Sequence, residues 1–257
     1  MKIDFVIPAY NEEALIGRCL DAIHAELGRG DYAADVVVVN NASTDGTAEI
    51  VRRYPTVRLI DEPQKGLVKA RQAGYVATTG EIIANIDADC AISEGWIDKV
   101  LREFKRDKRL VALSGPFHYE GISRVAHIVT MFYYTMGYGI YWLQSRVLRS
   151  GAMLQGGNFV VRRTAMEEIG GFDTSIEFYG EDTDVARRIS RVGRVKWTFR
   201  LPAHSSARRL KAEGFLTTGM RYALNFLSTS FTGRIVTKTH TDIRPDETCS
   251  DRKADGS

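Results

Sequence analysis

The decapeptide EIIANIDADC, residues 81–90, is an apolar run that ends in two carboxylates two positions apart, Asp87 and Asp89. Its isoleucines predict a buried strand, because β-branched side chains pack well on a pleated sheet. Residues two apart in an extended segment point to the same face, so the two carboxylates are expected to stand side by side. Like charges this close repel one another unless a positive group lies between them. The stretch therefore predicts a binding function at the end of a strand.

The sequence before this stretch alternates between strand and helix patterns. Three more apolar runs predict strands: DFVIP (4–8), DVVVV (35–39) and VRLID (57–61). Apolar residues recur at intervals of three and four from Leu15 to Leu27, which predicts a helix with Asn11 as its N-cap. Three more helices are predicted: a short one through Ile50 and Val51, one at 66–80 and, after the decapeptide, one at 93–105. Strands that alternate with helices favour an α/β fold with a mostly parallel sheet and flanking helices.

Polar clusters follow three of these strands at the point where each strand ends. They are PAYNE (8–12), NNASTD (40–45) and DAD (87–89). The carboxyl ends of parallel strands meet at one edge of the sheet, and open α/β sheets bind their ligands there. The NNASTDG segment alone also fits a turn followed by a helix cap, because Asn, Ser, Asp and Gly favour turns. The convergence of three clusters is what favours a binding site.

The pair Asp87 and Asp89 has three interpretations from its residues alone. Carboxylate oxygens bind hard divalent cations, which often bridge substrate phosphates as well. The same side chains also cap helices or form salt bridges. The acidic residues in GEDTDVARR (180–188) share this ambiguity, because carboxylates in the first turn of a helix complement its dipole.

The second half of the chain departs from the alternation of strands and helices. Residues 125–145 carry no formal charge, and their polar and aromatic content favours a buried or interfacial helix over a membrane span. An amphipathic stretch follows at 211–227, and the polar residues 233–257 predict a disordered tail. No clean linker interrupts 1–232, which we therefore expect to form one domain.

The composition excludes several classes of protein. The 257 residues have a net charge of +3 and contain no RNP, zinc-finger or helix-turn-helix pattern, so no nucleic-acid partner is expected. The G-x-G-x-x-G fingerprint of dinucleotide oxidoreductases is absent as well. Three scattered cysteines (Cys19, Cys90 and Cys249) indicate a reducing compartment, and charge comes too early for a signal peptide. The sequence predicts a cytoplasmic protein, with peripheral contact to the inner face of a membrane through 125–148 as an extension.

Five motifs together resemble glycosyltransferase family 2 in kind and in order. They are VIPAYNEE (6–13), NNASTDGT (40–47), DADC (87–90), GGNFVVRR (156–163) and GEDTDVARR (180–188). The resemblance covers about residues 3–210 and implies the GT-A fold, a Rossmann-like α/β architecture. It implies inverting transfer from a nucleotide-diphosphate sugar to an acceptor hydroxyl, with Mn²⁺ or Mg²⁺ as cofactor. Residues 1–115 would then bind the nucleotide sugar, and residues 116–232 would supply the acceptor side and the catalytic base.

The family pattern also implies roles for single residues. Those implied for the donor nucleotide are Pro8, Ala9, Tyr10, Glu12, Asn41, Arg71 and Asp87. Those implied for the donor sugar and the acceptor are Gly156, Gly157, Asn158 and Glu181. Asp182 matches the general base, Asp89 matches a metal ligand, and His204 falls where some relatives have a further ligand. Arg71 also fits a solvated helix face, and His204 a structural histidine. Arg208 and Arg209 fit either a diphosphate contact or a solvated position.

The sequence departs from the family pattern at Asn40 and Asn41, where the family often has acidic residues. An amide still binds a nucleotide, so the base stays open, with UDP favoured over GDP. The C-terminal part lacks the Gln-x-x-Arg-Trp signature of processive synthases, which favours transfer of a single sugar. The segment 125–148 lies where the family builds acceptor sites, which suggests a lipid-linked acceptor. The alternatives are a sugar-nucleotide nucleotidyltransferase and a non-catalytic carbohydrate-binding or scaffold protein.

Overall fold

The structure is a computed structural model that describes residues 1–143, 153–176, 180–208 and 210. The strands in these ranges are β1 Ile3–Ala9, β2 Ala34–Asn40, β3 Val57–Asp61, β4 Ile82–Ile86, β5 Cys90–Ile92, β6 Leu110–Ser114, β7 Phe117–Glu120, β8 Asn158–Arg162, β9 Arg194–Trp197 and β10 Ala203–Ser206. The helices are α1 Ile16–Leu27, α2 Thr47–Arg52, α3 Leu67–Ala77, α4 Trp96–Arg106, α5 Arg124–Leu143, α6 Arg163–Glu168 and α7 Glu181–Ile189. The amphipathic stretch predicted at 211–227 and the tail predicted at 233–257 lie outside the described residues.

A seven-stranded sheet with the order β3-β2-β1-β4-β8-β6-β9 forms the centre of the molecule. The strands from β3 to β4 run parallel, as do β6 and β9, whereas β8 runs antiparallel to β4 and β6. The prediction of an α/β fold with a mostly parallel sheet is confirmed. A second sheet, with the order β5-β10-β7, was not predicted, because strands of three or four residues are too short to show an alternating pattern.

The central strands are covered on both faces by helices. Every residue of β1 and β4 is buried. Phe5 on β1 belongs to an apolar cluster that also contains residues of α1 and α4, whereas the adjacent Val6 belongs to a cluster with residues of α3 and α7. This alternation follows from the pleat of the strand, which turns successive side chains to opposite faces. The helices therefore hold the strand ends, and the loops that follow them, in fixed positions.

Helix α1 begins at Ile16, so the prediction that Asn11 is its N-cap is wrong. Asn11 has a left-handed backbone with φ of 48°, and its Oδ1 accepts a hydrogen bond from the backbone N–H of Thr44 at 2.9 Å. Its side chain is therefore engaged by the loop after β2 and does not reach the start of the helix. Asn tolerates this conformation better than most residues.

Helix α5 packs against the rest of the protein through one face. The hydroxyl of Tyr134 accepts a hydrogen bond from the backbone N–H of Phe117 at 3.1 Å and donates one to Oε1 of Gln155 at 3.2 Å. The hydroxyl of Tyr141 donates to the backbone carbonyl of Val195 at 2.9 Å. Across the described ranges, no helix has both the length and the apolar character needed to cross a membrane.

Candidate active site

The loops after β1 and β2 are joined by hydrogen bonds at the carboxyl edge of the sheet. The backbone N–H of Asn11 donates to Oγ of Ser43 at 3.1 Å. The backbone N–H of Glu12 donates to Oγ1 of the buried Thr47 at 2.8 Å. The predicted convergence of these polar segments is therefore confirmed. Thr47 was not predicted as a site residue, because nothing in its local sequence shows that it contacts the other loop.

Pro8, Ala9 and Tyr10 form the end of β1 and the start of this edge. Pro8 and Ala9 are buried, and Tyr10 is half-buried. The ammonium group of Lys65 lies 3.8 Å from the centroid of the Tyr10 ring, which is close enough for a cation–π interaction. The ring of Tyr10 thus meets the loop after β3, at residues 62–66.

Asn41 organises the same loop through its side-chain amide. Its Nδ2 donates to the backbone carbonyls of Glu62 at 3.0 Å and Gln64 at 2.8 Å, and its Oδ1 accepts from the N–H of Gly66 at 2.8 Å. An ionised aspartate has no hydrogen to donate to the two carbonyls. The hydrogen bonds to this loop therefore explain why residue 41 is an asparagine here. Asn41 is buried, and its amide is engaged by protein groups.

Asp87 and Asp89 lie in a turn between β4 and β5, so the expectation of an extended segment is wrong. The strand ends at Ile86, and the N–H of Cys90 donates to the carbonyl of Asp87 at 2.9 Å. The two carboxylates nevertheless interact. Burial and then the negative charge of Asp87 raise the pKa of Asp89. A pair of this kind gains from a nearby cation.

Arg71 is a fully buried cation that joins two acidic groups. One terminal nitrogen, Nη2, donates to Oδ1 of Asp87 at 2.8 Å, and the other, Nη1, contacts the carboxylate of Glu181. The alternative of a solvated helix face for Arg71 is therefore wrong. The guanidinium plane also lies over the ring of Phe159, with its central carbon 5.3 Å from the ring centroid.

Glu181 and Asp182 open helix α7, directly after Gly180. Oδ2 of Asp182 accepts a hydrogen bond from the N–H of Gly156 at 3.0 Å, and Oδ1 accepts one from the N–H of Thr183 at 2.7 Å. Burial raises the pKa of Asp182, with the charge of Arg71 opposing the rise. Burial likewise raises the pKa of Glu181 to about 7, again opposed by Arg71.

The adjacent glycines 156 and 157 lie between the two acidic groups. Gly156 binds Asp182 through its N–H, and the carbonyl of Gly157 accepts a hydrogen bond from the N–H of Asp87 at 3.2 Å. Gly157 has φ of +79°, and a Cβ at this position would overlap the Asp87 carboxylate. The two glycines therefore let the backbone pass between Asp87 and Asp182, as their lack of side chains predicts.

Asn158 is fully buried and connects three segments of the chain. Its Nδ2 donates to the backbone carbonyls of Leu201 at 2.9 Å and Gly115 at 3.2 Å, and its Oδ1 accepts from Nε1 of Trp96 at 3.2 Å. The side-chain amide of Asn158 is therefore bonded to protein groups in the core. This position fits a residue that supports the site from inside the core.

Arg208 reaches the acidic edge from the far end of the described chain. Its Nη2 donates to Oε2 of Glu12 at 2.7 Å and lies 3.4 Å from Oδ2 of Asp89. Glu12 is buried, and a buried charge is costly unless it is paired. The guanidinium of Arg208 supplies the opposite charge. Arg208 is therefore bound to carboxylates of the protein, with about a third of its side chain exposed, and its contact with a diphosphate stays a prediction. Arg209 lies outside the described residues.

His204 lies on β10, with its Nδ1 3.6 Å from Oε1 of Glu120 and its ring centroid 5.7 Å from that of His118. Within the part of the chain that the structure describes, no group of three or more His, Cys, Asp or Glu side chains is arranged to hold a metal ion. The carboxylates still fit a hard divalent cation, because Mg²⁺ is commonly held by one or two carboxylates together with substrate phosphates.

Curated proteins resemble the chain in sequence. It is 27% identical over 205 residues to "Probable glycosyltransferase YdaM" of Bacillus subtilis, a match that covers 75% of this chain and 47% of the relative. It is 34% identical over 134 residues to "Dolichyl-phosphate beta-glucosyltransferase ALG5C" of Trichomonas vaginalis, covering 47% of this chain and 40% of the relative. The chain thus spans less than half the length of either relative.

Solved structures share the fold. The mannosyltransferase PcManGT from Pyrobaculum calidifontis, in complex with GDP-Man and Mn²⁺, has a TM-score of 0.62 at 24% identity, over 86% of this chain and 64% of that chain. TarS 1-349 of S. aureus has a TM-score of 0.61 at 17% identity, over 90% of this chain and 73% of that chain. These likenesses establish the GT-A fold. The family model described as Glycosyl transferase family 2 matches residues 4–170, which is more than half of the chain. The chain therefore belongs to glycosyltransferase family 2.

Proposed function

We propose that the chain is a metal-dependent, inverting glycosyltransferase that moves one sugar from a nucleotide-diphosphate sugar to an acceptor hydroxyl. Family membership makes it a glycosyltransferase and disfavours both alternatives, the nucleotidyltransferase and the non-catalytic scaffold. The observation that carries the finer proposal is the position of Gly156 and Gly157, which contact Asp182 on one side and Asp87 on the other. In this proposal, a substrate bound over the two glycines would contact both carboxylates.

The donor nucleotide is assigned to the loops that follow β1, β2 and β4. Asp87, with about a third of its side chain exposed, and the half-buried Tyr10 present atoms to a ligand. Pro8, Ala9 and Glu12 shape the floor of this edge. Asn41 and Arg71 are assigned an indirect role in nucleotide binding. Asn41 holds the loop at 62–66 in place, and Arg71 holds the carboxylate of Asp87.

Asp89 is the residue assigned to hold Mn²⁺ or Mg²⁺. Its contact with Arg208 is long, at 3.4 Å, the thiol of Cys90 is a weak donor, and about a fifth of its side chain is exposed, which supports binding of a cation there. A divalent cation bound there would supply Lewis-acid stabilisation of the leaving diphosphate. His204, assigned from the family pattern as a further ligand, would have to turn away from Glu120 to serve.

Asp182 is assigned as the general base. It takes the proton of the acceptor hydroxyl while that oxygen attacks the anomeric carbon and the bond from this carbon to the diphosphate breaks. A carboxylate whose pKa is raised by burial is a better proton acceptor, because its basicity is closer to what the reaction needs near neutral pH. Glu181 and Asn158 complete the sugar and acceptor side by holding Arg71 and the backbone around Gly157.

The nucleotide and the acceptor are narrower parts of the proposal. Solved structures with this fold contain UDP-GlcNAc in TarS and GDP-Man in PcManGT, so the fold is compatible with either base. The preference for UDP rests on the sequence. A lipid-linked acceptor is supported by the name of the dolichyl-phosphate relative and by Tyr134, which ties α5 to Gln155 beside the two glycines.

The test compares the wild type with Asp182→Asn. We expect UDP or GDP with Mn²⁺ to raise the melting temperature of both proteins equally, while sugar transfer falls by about 10²–10⁴-fold in the variant. Asp173→Asn is the matched control, because Asp173 is exposed and its carboxylate bonds only to Ser175 among the contacts described. Retained turnover in Asp182→Asn would remove Asp182 as the base. Equal thermal shifts with and without Mn²⁺ would remove the metal from the proposal.

A further inference from the structure

Helix α5 has a stripe of exposed large apolar side chains that no described part of the protein covers. Val125, Ile128, Phe132 and Met136 are 70%, 68%, 65% and 45% exposed. Their spacing of three, four and four residues places them on one face of the helix. We call these four residues the α5 stripe. It extends for about 17 Å along the helix, at 1.5 Å per residue.

The opposite face of α5 packs inward. Thr130 and Tyr141 are buried on that face, and Tyr134 lies between them and bonds to Phe117 and Gln155. The helix is thus fixed to the core, with the α5 stripe turned outward. A helix that serves only as a core element would carry polar residues on its outer face.

The stretch of sequence that contains α5 carries formal charges of one sign only. Between Glu120 and Glu167 the sequence contains no acidic residue, whereas it contains five arginines, of which Arg124 belongs to α5. Arg124 is exposed at the start of α5, directly beside Val125. A surface that combines apolar side chains with a cationic neighbour complements the acyl chains and the anionic headgroups of a lipid bilayer.

We propose that the α5 stripe docks the protein onto the surface of an anionic lipid bilayer. The helix would lie in the interface, with its apolar side chains among the acyl chains and Arg124 at the headgroups. Trp142, which is half exposed near the other end of α5, suits the same interface because its ring is apolar and its N–H is polar. Since Tyr134 joins this helix to Gln155, docking would bring the two glycines of the active site close to the membrane surface.

The inference is independent of the sugar chemistry, because its test measures binding without turnover. Vesicle flotation compares the wild type with the double variant Ile128→Ser/Phe132→Ser, using phosphatidylcholine vesicles with and without phosphatidylglycerol. We expect the wild type to bind the vesicles that contain phosphatidylglycerol, and the double variant to bind them at least about tenfold more weakly. Arg124→Gln should reduce the preference for phosphatidylglycerol. Val76→Ser is the matched control, because Val76 on α3 is 70% exposed and apolar but lies outside the stripe.

Three results would overturn the inference. Equal vesicle binding by the wild type and the double variant would show that the α5 stripe is not the contact. Sedimentation that shows a dimer in the wild type and a monomer in the double variant, with no binding to vesicles, would assign the stripe to a second copy of the chain. A melting temperature of the double variant well below that of Val76→Ser would show that the stripe packs against another part of the protein.

Discussion

Gly157 has a backbone conformation and a neighbour that each exclude a side chain. Its φ of +79° lies in the left-handed region, and a Cβ would overlap the carboxylate of Asp87. Gly170 has nearly the same φ, +76°, but a Cβ there would meet nothing within 4 Å. Comparing alanine substitutions at Gly157 and Gly170 therefore separates the energy of the left-handed conformation from the energy of the steric overlap.

We predict that Gly157→Ala destabilises the protein more than Gly170→Ala does. A left-handed alanine should destabilise both variants by about 1 kcal/mol. Gly157→Ala must also displace Asp87, so its total loss of stability should reach about 2–4 kcal/mol. Urea denaturation gives the two free energies of unfolding. If both variants lost the same free energy of unfolding, the turn at Asp87 would accommodate the added methyl group without destabilising the protein, which would contradict the prediction.

The residues whose chemistry is unusual for their position were predictable from the sequence, whereas their supporting residues were not. Asp87 and Asp89 stand out because carboxylates follow a buried strand, and burial together with the charge of Asp87 raises the pKa of Asp89. Arg71 gave no such signal, because its partner Glu181 is 110 positions away and its burial depends on how α3 and α7 pack. The amides of Asn41 and Asn158 were assigned to ligands, but the structure shows them bonded to backbone carbonyls that no local pattern reveals.

At the scale of elements, the loops after β1 and β2 act as one unit. Oγ1 of Thr47 accepts from the N–H of Glu12 at 2.8 Å and donates to Oδ1 of Asp45 at 2.5 Å. Its side chain is fully buried at the start of α2. One hydroxyl therefore fixes both the entry to α2 and the loop that leads to α1.

We predict that Thr47→Val loosens this unit. Valine has the same shape but leaves the N–H of Glu12 buried without its acceptor, which should cost about 1–3 kcal/mol of stability. Hydrogen exchange at the Glu12 amide should become faster than in the wild type. Thr135→Val is the control, because Thr135 is exposed and its hydroxyl bonds to the carbonyl of Met131 within its own helix. Unchanged exchange at Glu12 would contradict the role of Thr47.

Element boundaries, like the supporting residues, depend on long-range contacts that local sequence patterns do not show. The long strands and the amphipathic helix α1 were predicted because their hydrophobic periods are strong. The predicted N-cap of α1 was wrong by four residues, Asn11 in place of Leu15, since Asn11 bonds to the loop after β2 rather than to its own helix. The three-stranded sheet was missed, because its strands are short and pair across large distances in the chain.

At the scale of the whole molecule, Arg71 joins the two halves of the chain. It lies on α3 in the first half, contacts Asp87 after β4, and reaches Glu181 on α7 in the second half. Burial raises the pKa of Glu181 from its usual 4.5 to about 7. Between these values the folded protein binds the proton more tightly than the unfolded chain, so this carboxyl lowers stability as the pH rises from 4.5 to 7.

We predict that Arg71→Met destabilises the protein by about 3–5 kcal/mol, because it leaves buried carboxylates without their cation. The loss should be larger at about pH 8 than at about pH 5, since removing Arg71 raises the pKa of Glu181 further and protonation relieves the charge at low pH. Urea midpoints at both pH values measure this difference. Arg187→Met is the control, because Arg187 is partly exposed and its pair with Asp184 should contribute only about 0–1 kcal/mol. A loss that is the same at both pH values would contradict the electrostatic role of Arg71.

The order of the three-stranded sheet has a consequence for synthesis on the ribosome. Its middle strand, β10, comes from residues 203–206, whereas the outer strands β5 and β7 come from residues 90–92 and 117–120. A nascent chain therefore carries both outer strands, unpaired, for as long as the next eighty or so residues take to be translated. Arg208 follows β10 directly, so Glu12 and Asp89 stay without this counter-ion over the same interval. Translation that stops before residue 203 leaves a chain that lacks both the strand and the guanidinium.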